Sequence, residues 1–415
     1  MLPAFDKLNN ANNPVTILAM SDSQSISNAV AKLYNTYPFP PEPLLDEPPP
    51  GYNWRWKWSS AYNFCTGQKP DRENIRILDA GCGTGVGTEY LVHLNPEASV
   101  VGIDLSEGAL EVAKERCQRS GANRVEFHHL SLFDVEQLEG EFDLINCVGV
   151  LHHTPDPIRG IQALAKKLAP GGLFHIFVYG ELGRREIQFM QEAIAMLQGK
   201  KRGDYRDGVQ VGRQIFASLP ESNRILQRDK QLWALENHKD ENFADMYVHP
   251  QEIDYNSETL FELVDASGLE FVGFSNPGYW NLERILGQNP ELMERAANLS
   301  ERQRYRLVEI LDPDNPEITH YEFFLSRPPL PHTNWSDEQA LLGATPEINP
   351  CIDGFPSKCI FDYNYQVVKL SDEEFKFMQA CNGSLTVEEI IKDLELGLPE
   401  IRKLQQQQLI MLSGN

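Results

Sequence analysis

The sequence has no CxxC pair and no apolar run approaching the roughly 18–20 residues of a membrane span. It also lacks a basic start followed by an apolar stretch at its N-terminus, MLPAFDKLNNANNP. The first absence argues against a zinc site and a dithiol redox centre. The other two remove a spanning helix and a secretory signal, so a cytoplasmic protein is expected. Seven cysteines are scattered singly at Cys65, Cys82, Cys117, Cys147, Cys351, Cys359 and Cys381. An odd, dispersed set does not make a disulfide framework, and most read as small buried hydrophobes. Positive charge is scarce too. Lys and Arg number 37 against 60 Asp and Glu, a net charge of −23. Such a field repels nucleic-acid backbones and anionic membrane surfaces, so no DNA partner is expected, while a lipid-soluble substrate stays open. The one basic run, KKRGDYR at 200–206, reads first as a solvated loop. No internal repeat occurs.

What is present is enough apolar material, 41% of residues, to bury a core. Three regions follow from the pattern: residues 1–70, rich in aromatics and proline; 71–328, where strands alternate with amphipathic helices and 181–255 reads as a largely helical insertion; and 329–415. Strands are expected at 75–79, 99–104, 124–129, 142–148, 173–179, 271–275 and 319–328. Helices are expected near 85–95, 106–120, 157–168, 186–198 and 257–269, the last ended by Gly268. The stretch RPPLPHTNW is a linker. Beyond it come strand material and three helices, two opened by capping boxes, Ser371 with Glu374 and Thr386 with Glu389.

The chemistry concentrates in ILDAGCGTGVGTEYL (77–91). A buried strand ends on Asp79. Gly81, Gly83 and Gly85 then form a turn whose backbone can approach a ligand, and the helix that follows offers free N–H groups. A dinucleotide fingerprint would need Gly or Ala where Val86 stands. VVGIDLS places Asp104 at the next strand end, a spacing that suits a ribose diol.

Asp79-Ala80-Gly81-Cys82-Gly83-Thr84-Gly85 resembles the E/D-x-G-x-G-x-G motif of class I S-adenosylmethionine-dependent methyltransferases, and four further segments match that family in order. The resemblance implies a Rossmann-like α/β fold with a seven-stranded sheet, and S-adenosylmethionine as cofactor. It implies that the glycine loop holds the methionyl part, that Asp104 and Leu105 flank the ribose, and that Ser131 and Leu132 lie at the adenine. Serine at 131 departs from the family's usual acid; Asp134 is the alternative there, or a plain helix cap. In EFDLINCVGVLHHTPDP the resemblance sets Cys147, Val148 and Gly149 at the methyl donor. His152 and His153 read either as a general base or as loop packing. LAPGGLFHIFVY matches the fifth-strand segment and puts Tyr179 at the ligand crevice. Arg184 and Arg185 read as anion partners for the substrate or as surface arginines. Asp245, Tyr247 and His249 read as a second approach to the substrate, or as a structural turn.

The aromatic block before the first strand, with Tyr34, Tyr37, Phe39, Trp54, Trp56 and Trp58, reads as a lid bringing phenols to the sulfonium, or as one alternating strand. Tyr37, His153 and Tyr179 are the catalytic candidates; no metal ligands are assigned. The C-terminal segment resembles small winged-helix-like domains, and its acidic residues favour a peptide or protein partner, or a dimerising role, over phosphate contact. The expected function is methyl transfer to a small-molecule acceptor. The rivals are an RNA or protein methyltransferase guided by the C-terminal segment, and a silent cofactor-binding protein. A nicotinamide oxidoreductase is disfavoured by Val86.

Overall fold

A computed structural model describes residues 23–414. The sheet forms where the sequence alternates short apolar runs with amphipathic helices. In chain order come α1 (Ser23–Thr36), α2 (Trp58–Thr66), β1 (Arg76–Ala80), α3 (Val86–Leu94), β2 (Ser99–Asp104), α4 (Glu107–Ser120), β3 (Val125–His129), β4 (Phe142–Val148), α5 (Pro157–Ala165) and β5 (Leu168–Tyr179). The insertion follows as α6 (Arg185–Gln198), α7 (Tyr205–Ser218), α8 (Arg224–Leu232) and α9 (Asp240–Tyr247). Then come α10 (Ser257–Ser267), β6 (Glu270–Phe274), four short helices over 277–311, and β7 (His320–Ser326).

These strands make a seven-stranded sheet in the order β3-β2-β1-β4-β5-β7-β6, with β7 antiparallel to both its neighbours. The order reverses between β1 and β4, where a doubly wound sheet opens a crevice at its carboxyl ends. One apolar layer, including Ile145, Phe174, Leu260 and Phe323, packs one face of the sheet. The other face packs Trp54, Trp58, Leu91 and Phe324. The strands and helices match the expected Rossmann-like class I methyltransferase fold. Ser106 caps α4, and Gly121 and Gly268 end α4 and α10 in the left-handed conformation.

The aromatic block does not form one strand. Asn53 caps a 3-10 turn over Trp54–Trp56, and α2 starts at Trp58, so both flanking tryptophans are buried while Trp56 is only partly buried. Leu33 of α1 joins Ile187, Met190, Val209, Phe243 and Tyr247 in a separate apolar cluster, tying α1 to the insertion. The run at 200–206 is mostly exposed around the start of α7, as the solvated reading expected.

The C-terminal segment has its own core around Trp335, Leu341, Phe377, Ile401 and Leu412. Its three main helices, Asp372–Ala380, Val387–Ile391 and Leu398–Gln406, occur as expected, and both capping boxes form. Its strands pair as two small antiparallel sheets, Thr345–Ile348 with Ile410–Ser413 and Cys359–Phe361 with Val367–Lys369. It packs on the N-terminal block. Tyr52 stacks on Tyr365 at 4.5 Å, and the Ser60 hydroxyl donates to Asn349 at 2.8 Å.

Candidate functional site

A cavity of about 700 Å³ opens at the carboxyl ends of β1, β2, β4 and β5. Asp79, Gly81, Gly83, Asp104, Leu105, Ser131, Leu132 and Val148 all line it. Gly85 does not. Its φ is +81°, and a Cβ there would lie 2.8 Å from Ala113 Cβ, so Gly85 lets α3 pack closely on α4. Gly83 is left-handed as well, and a Cβ would strike the Phe39 carbonyl.

That contact reveals how the N-terminal block covers the turn. Thr84 donates through its N–H to Phe39 O at 3.0 Å and through its hydroxyl to Pro40 O at 2.6 Å. Buried Arg116 donates to Thr84 O, Glu42 O and Pro43 O at 2.9, 2.7 and 2.9 Å, pinning the proline-rich strap down. Phe39, Pro40, Trp56 and Tyr34 line the cavity wall.

The lining fits a nucleoside-bearing amino acid. Asp104 accepts Gly83 N–H on one oxygen and Ser106 N–H on the other, both at 2.8 Å. Each carboxylate oxygen keeps a lone pair, which matches two vicinal hydroxyls. Burial raises the pKa of Asp104, against the pull of its backbone N–H partners. Asp79, at the foot of the turn, accepts from the Thr88 hydroxyl and Asn146 Nδ2 at 2.6 and 2.8 Å. Burial outweighs these bonds, and with Asp104 nearby its pKa reaches about 6. A carboxylate so destabilised has much to gain from an ammonium group. Leu105 and Leu132 give apolar walls. Ser131 is the cap of a 3-10 turn, accepting from Phe133 N–H, and Asp134 sits inside that turn and does not cap it.

At the far end the cavity meets polar side chains the sequence only partly identified. Tyr34 donates to Asp245 Oδ1 at 2.8 Å, and the Tyr179 hydroxyl lies 3.4 Å from Asp245 Oδ2. His153 completes this wall. Tyr37 does not reach it. The helix α1 ends at Thr36, so Ser27, Val30 and Tyr34 face the cavity while Tyr37 packs toward the insertion. Tyr247 also points away and donates to Asp229 at 2.8 Å. Arg184 is not a surface group: buried, it is engaged by Glu252 at 2.9 Å and lies 3.5 Å over the Tyr179 ring. Arg185 is exposed. His152 is wholly buried and packs 4.0 Å from the Tyr179 ring, the loop-packing role, although neither ring nitrogen has a partner among the described residues. Among the described residues, none beyond His320 lines the cavity.

His153, Asp245 and His249 bring potential ligand atoms within 4.8 Å of one another. The backbone of Gln251 decides what the two imidazoles offer. Its carbonyl takes a hydrogen bond from His153 Nδ1 at 2.8 Å, and its N–H donates to His249 Nδ1 at 3.1 Å. His153 therefore presents a lone pair on Nε2, whereas His249 carries its proton on a buried, unpartnered Nε2. The rings stack at 3.7 Å. A protonated Nε2 and a stacked pair do not match the convergent lone pairs a metal ion needs. Burial lowers both imidazole pKa values, keeping them neutral. Burial raises the pKa of Asp245, with nearby His153 and the Tyr34 bond opposing it.

Residues 78–174 match a family model described as a methyltransferase domain. An uncharacterized protein of Synechococcus is 58% identical over 399 residues, 95% of this chain and 94% of that protein. A phycocyanin operon protein W of Pseudanabaena tenuis, also uncharacterized, is 82% identical over 101 residues, 24% of this chain and 94% of that protein. Among solved structures, PKMT2 of Rickettsia typhi in complex with AdoHcy aligns over 88% of this chain and 77% of its own, with a TM-score of 0.61 and 16% identity. That likeness is one of fold. The Synechococcus protein and this chain belong to one family; with the motif at 79–85, the switch-point cavity and the match over 78–174 in hand, this chain carries a class I S-adenosylmethionine-dependent methyltransferase domain.

Proposed function

We propose that this methyltransferase acts on a nitrogen bearing at least two hydrogens, carried by a small-molecule acceptor bound beside Tyr34, Tyr179, Asp245 and His153. The observation that supports this is the direction of the hydrogen bonds. The Tyr34 and Tyr179 hydroxyls are turned to Asp245, and His153 Nδ1–H is used by Gln251. Among these four side chains, what remains toward the cavity is lone pairs, on His153 Nε2, on the carboxylate and on the phenols, while Arg184 and Trp233 line other parts of the cavity as donors. A hydroxyl brings one hydrogen to this set. An amino-type nitrogen brings two or more and keeps its own lone pair for attack. The cofactor supplies an activated methyl group on a sulfonium. The chain's part is to orient the nitrogen, exclude water, stabilise the positive charge that grows on it through Asp245, and receive a proton at His153 Nε2.

In the same reading, Asp79, Gly81, Gly83, Asp104, Leu105, Ser131, Leu132 and Val148 bind the cofactor. Residues 1–70 act as a lid over it, 71–328 form the catalytic domain with the cap at 181–255, and 329–415 form an accessory domain for a peptide or protein partner. Residues 1–22 of the lid lie outside the described residues. None of the described residues 329–414 lines the cavity, which supports an accessory role over direct acceptor recognition.

A second reading is favoured by one relative, the phycocyanin operon protein W. Products of one operon commonly serve one assembly, so phycocyanin itself is the alternative acceptor. Transfer of labelled methyl groups from the cofactor into size-fractionated cell extract separates these readings. Labelled N-methyl in the small-molecule fraction supports the first, and N-methyl in phycocyanin the second. Label recovered as O-methyl refutes the nitrogen assignment.

A further inference from the structure

A file of polar side chains crosses the middle of the sheet beneath the cavity, one from each of the four strands β1, β4, β5 and β7. Asp79, Asn146 and His175 are direct cross-strand partners on β1, β4 and β5. Glu322 on β7 is diagonal to His175, which pairs with Phe324. Asn146 Nδ2 donates to Asp79 Oδ1 at 2.8 Å. His175 Nδ1 lies 2.8 Å from Asn146 Oδ1, and its Nε2 lies 3.0 Å from Glu322 Oε1. Glu322 Oε2 meets Arg55 Nε at 2.7 Å and accepts from the Ser275 hydroxyl at 2.8 Å. Asn146 and His175 are buried, at 2% and 0% exposure, so the file is closed to water at its centre.

The hydrogen-bond roles along this file can be read without ambiguity. Trp56 Nε1 lies 3.0 Å from Asn146 Oδ1, and an indole N–H only donates. Trp56 therefore fixes which end of the Asn146 amide is oxygen. His175 Nδ1 then faces an amide oxygen and Nε2 faces a carboxylate, and neither can donate. Both ring nitrogens must carry hydrogen.

We infer that His175 is an imidazolium buried in the sheet, and that it is a positioning residue which holds Asn146 as a donor to Asp79 and favours the carboxylate form of Asp79 in the cofactor cavity. The charges along the file support this. Arg55 balances Glu322, leaving Asp79 with His175 as its counter-charge. Burial, with Arg55 nearby, holds His175 below the usual imidazole pKa against the pull of Glu322, so it is the two acceptors facing its ring nitrogens that call for the imidazolium. Glu322 itself, though burial pushes it up, is brought to about 2 by Arg55 and His175, so it stays an acceptor. The other titratable groups near the file are Asp104, which disfavours the charge on Asp79, and His320, which burial keeps toward neutral despite Glu322.

The consequence for cofactor binding rests on the proposed seat of the cofactor's ammonium at Asp79; the charge state of His175 does not. Two measurements separate them. Nitrogen-15 NMR of histidine-labelled protein, with the His175 signal assigned through its loss in a variant, should show both ring nitrogens protonated at pH 8. A single neutral tautomer overturns the inference. Isothermal titration with S-adenosylmethionine from pH 5 to 8.5 tests the positioning role. His175→Asn keeps a donor for Asn146 but removes the charge. The midpoint of the affinity profile should rise by about one pH unit, while affinity at pH 8.5 stays within about twofold. A uniform loss at every pH would mark a structural role and overturn the positioning half. His175→Asn combined with Glu322→Gln, which leaves no orphaned carboxylate, should show the same shift and covers the case where the single variant fails to fold.

Discussion

Replacing Asp104 with Ala probes the cofactor seat where the geometry is most explicit. Each Asp104 oxygen is committed to one backbone N–H, from Gly83 and Ser106, and has one lone pair left for a ribose hydroxyl. A hydrogen bond to a charged acceptor is worth about 1.5–3 kcal/mol, so losing two costs about 3–6 kcal/mol of binding. At about 1.4 kcal/mol per decade, S-adenosylmethionine affinity should fall between about a hundredfold and about ten-thousandfold. The two stranded N–H groups adjoin a cavity that water can enter, so the folding cost should stay near about 1–2 kcal/mol. Isothermal titration gives the first quantity and thermal melting the second. Asp104→Asn is the stricter variant, because its amide nitrogen must face one of the two N–H donors while its oxygen still serves the other. Near-native affinity in a folded Asp104→Ala protein would refute the ribose assignment.

Other consequences follow from the same contacts. Asp79, raised to about 6 from the usual 3.8, gives the free protein excess bound protons between those values; its stability should fall by about 3 kcal/mol as pH rises across that window. Cofactor binding should run the opposite way and weaken about tenfold per unit below pH 6, as titration of the wild type and of Asp79→Asn would check; an unchanged slope in the variant removes Asp79 as the cause. Arg116→Ala frees the strap at residues 42–43 and leaves buried Glu89, 3.6 Å away, without its cation. That change should cost about 3–5 kcal/mol in denaturant unfolding, and a cost below about 1 kcal/mol would show the pair is not structural. Asp245→Asn puts an amide N–H where only lone pairs stood. Turnover should fall at least about a hundredfold with cofactor affinity kept, and equal losses in both would place Asp245 at the cofactor instead.

The residues proposed to seat the cofactor were legible because the requirements of such a seat fall on consecutive residues. A turn needs glycine at set positions, and a strand end presents its acid at a fixed spacing, so Asp79, Gly81, Gly83 and Asp104 announced themselves. Gly85 shows the limit: the same left-handed backbone served helix packing against Ala113. The acceptor half is assembled from distant elements. Tyr34 and Tyr37 look alike in sequence, and only the end of α1 at Thr36 separates the one that meets Asp245 from the one that does not. The opposite tautomers of His153 and His249 are set by the peptide group of Gln251, which has no side-chain signature. The strap over the glycine turn is likewise held through backbone carbonyls that Arg116 collects. The tryptophans at 54, 56 and 58 alternate as a strand would, yet the Asn53 cap winds the first two into a 3-10 turn and Trp58 opens α2.

The most direct test of the account is a crystal structure with S-adenosylhomocysteine bound. The ribose should sit on Asp104, the amino group at Asp79, and the sulfur should face the wall made by Tyr34, Tyr179, Asp245 and His153. A cofactor whose sulfur points away from Asp245, or whose ribose leaves Asp104 untouched, would contradict it.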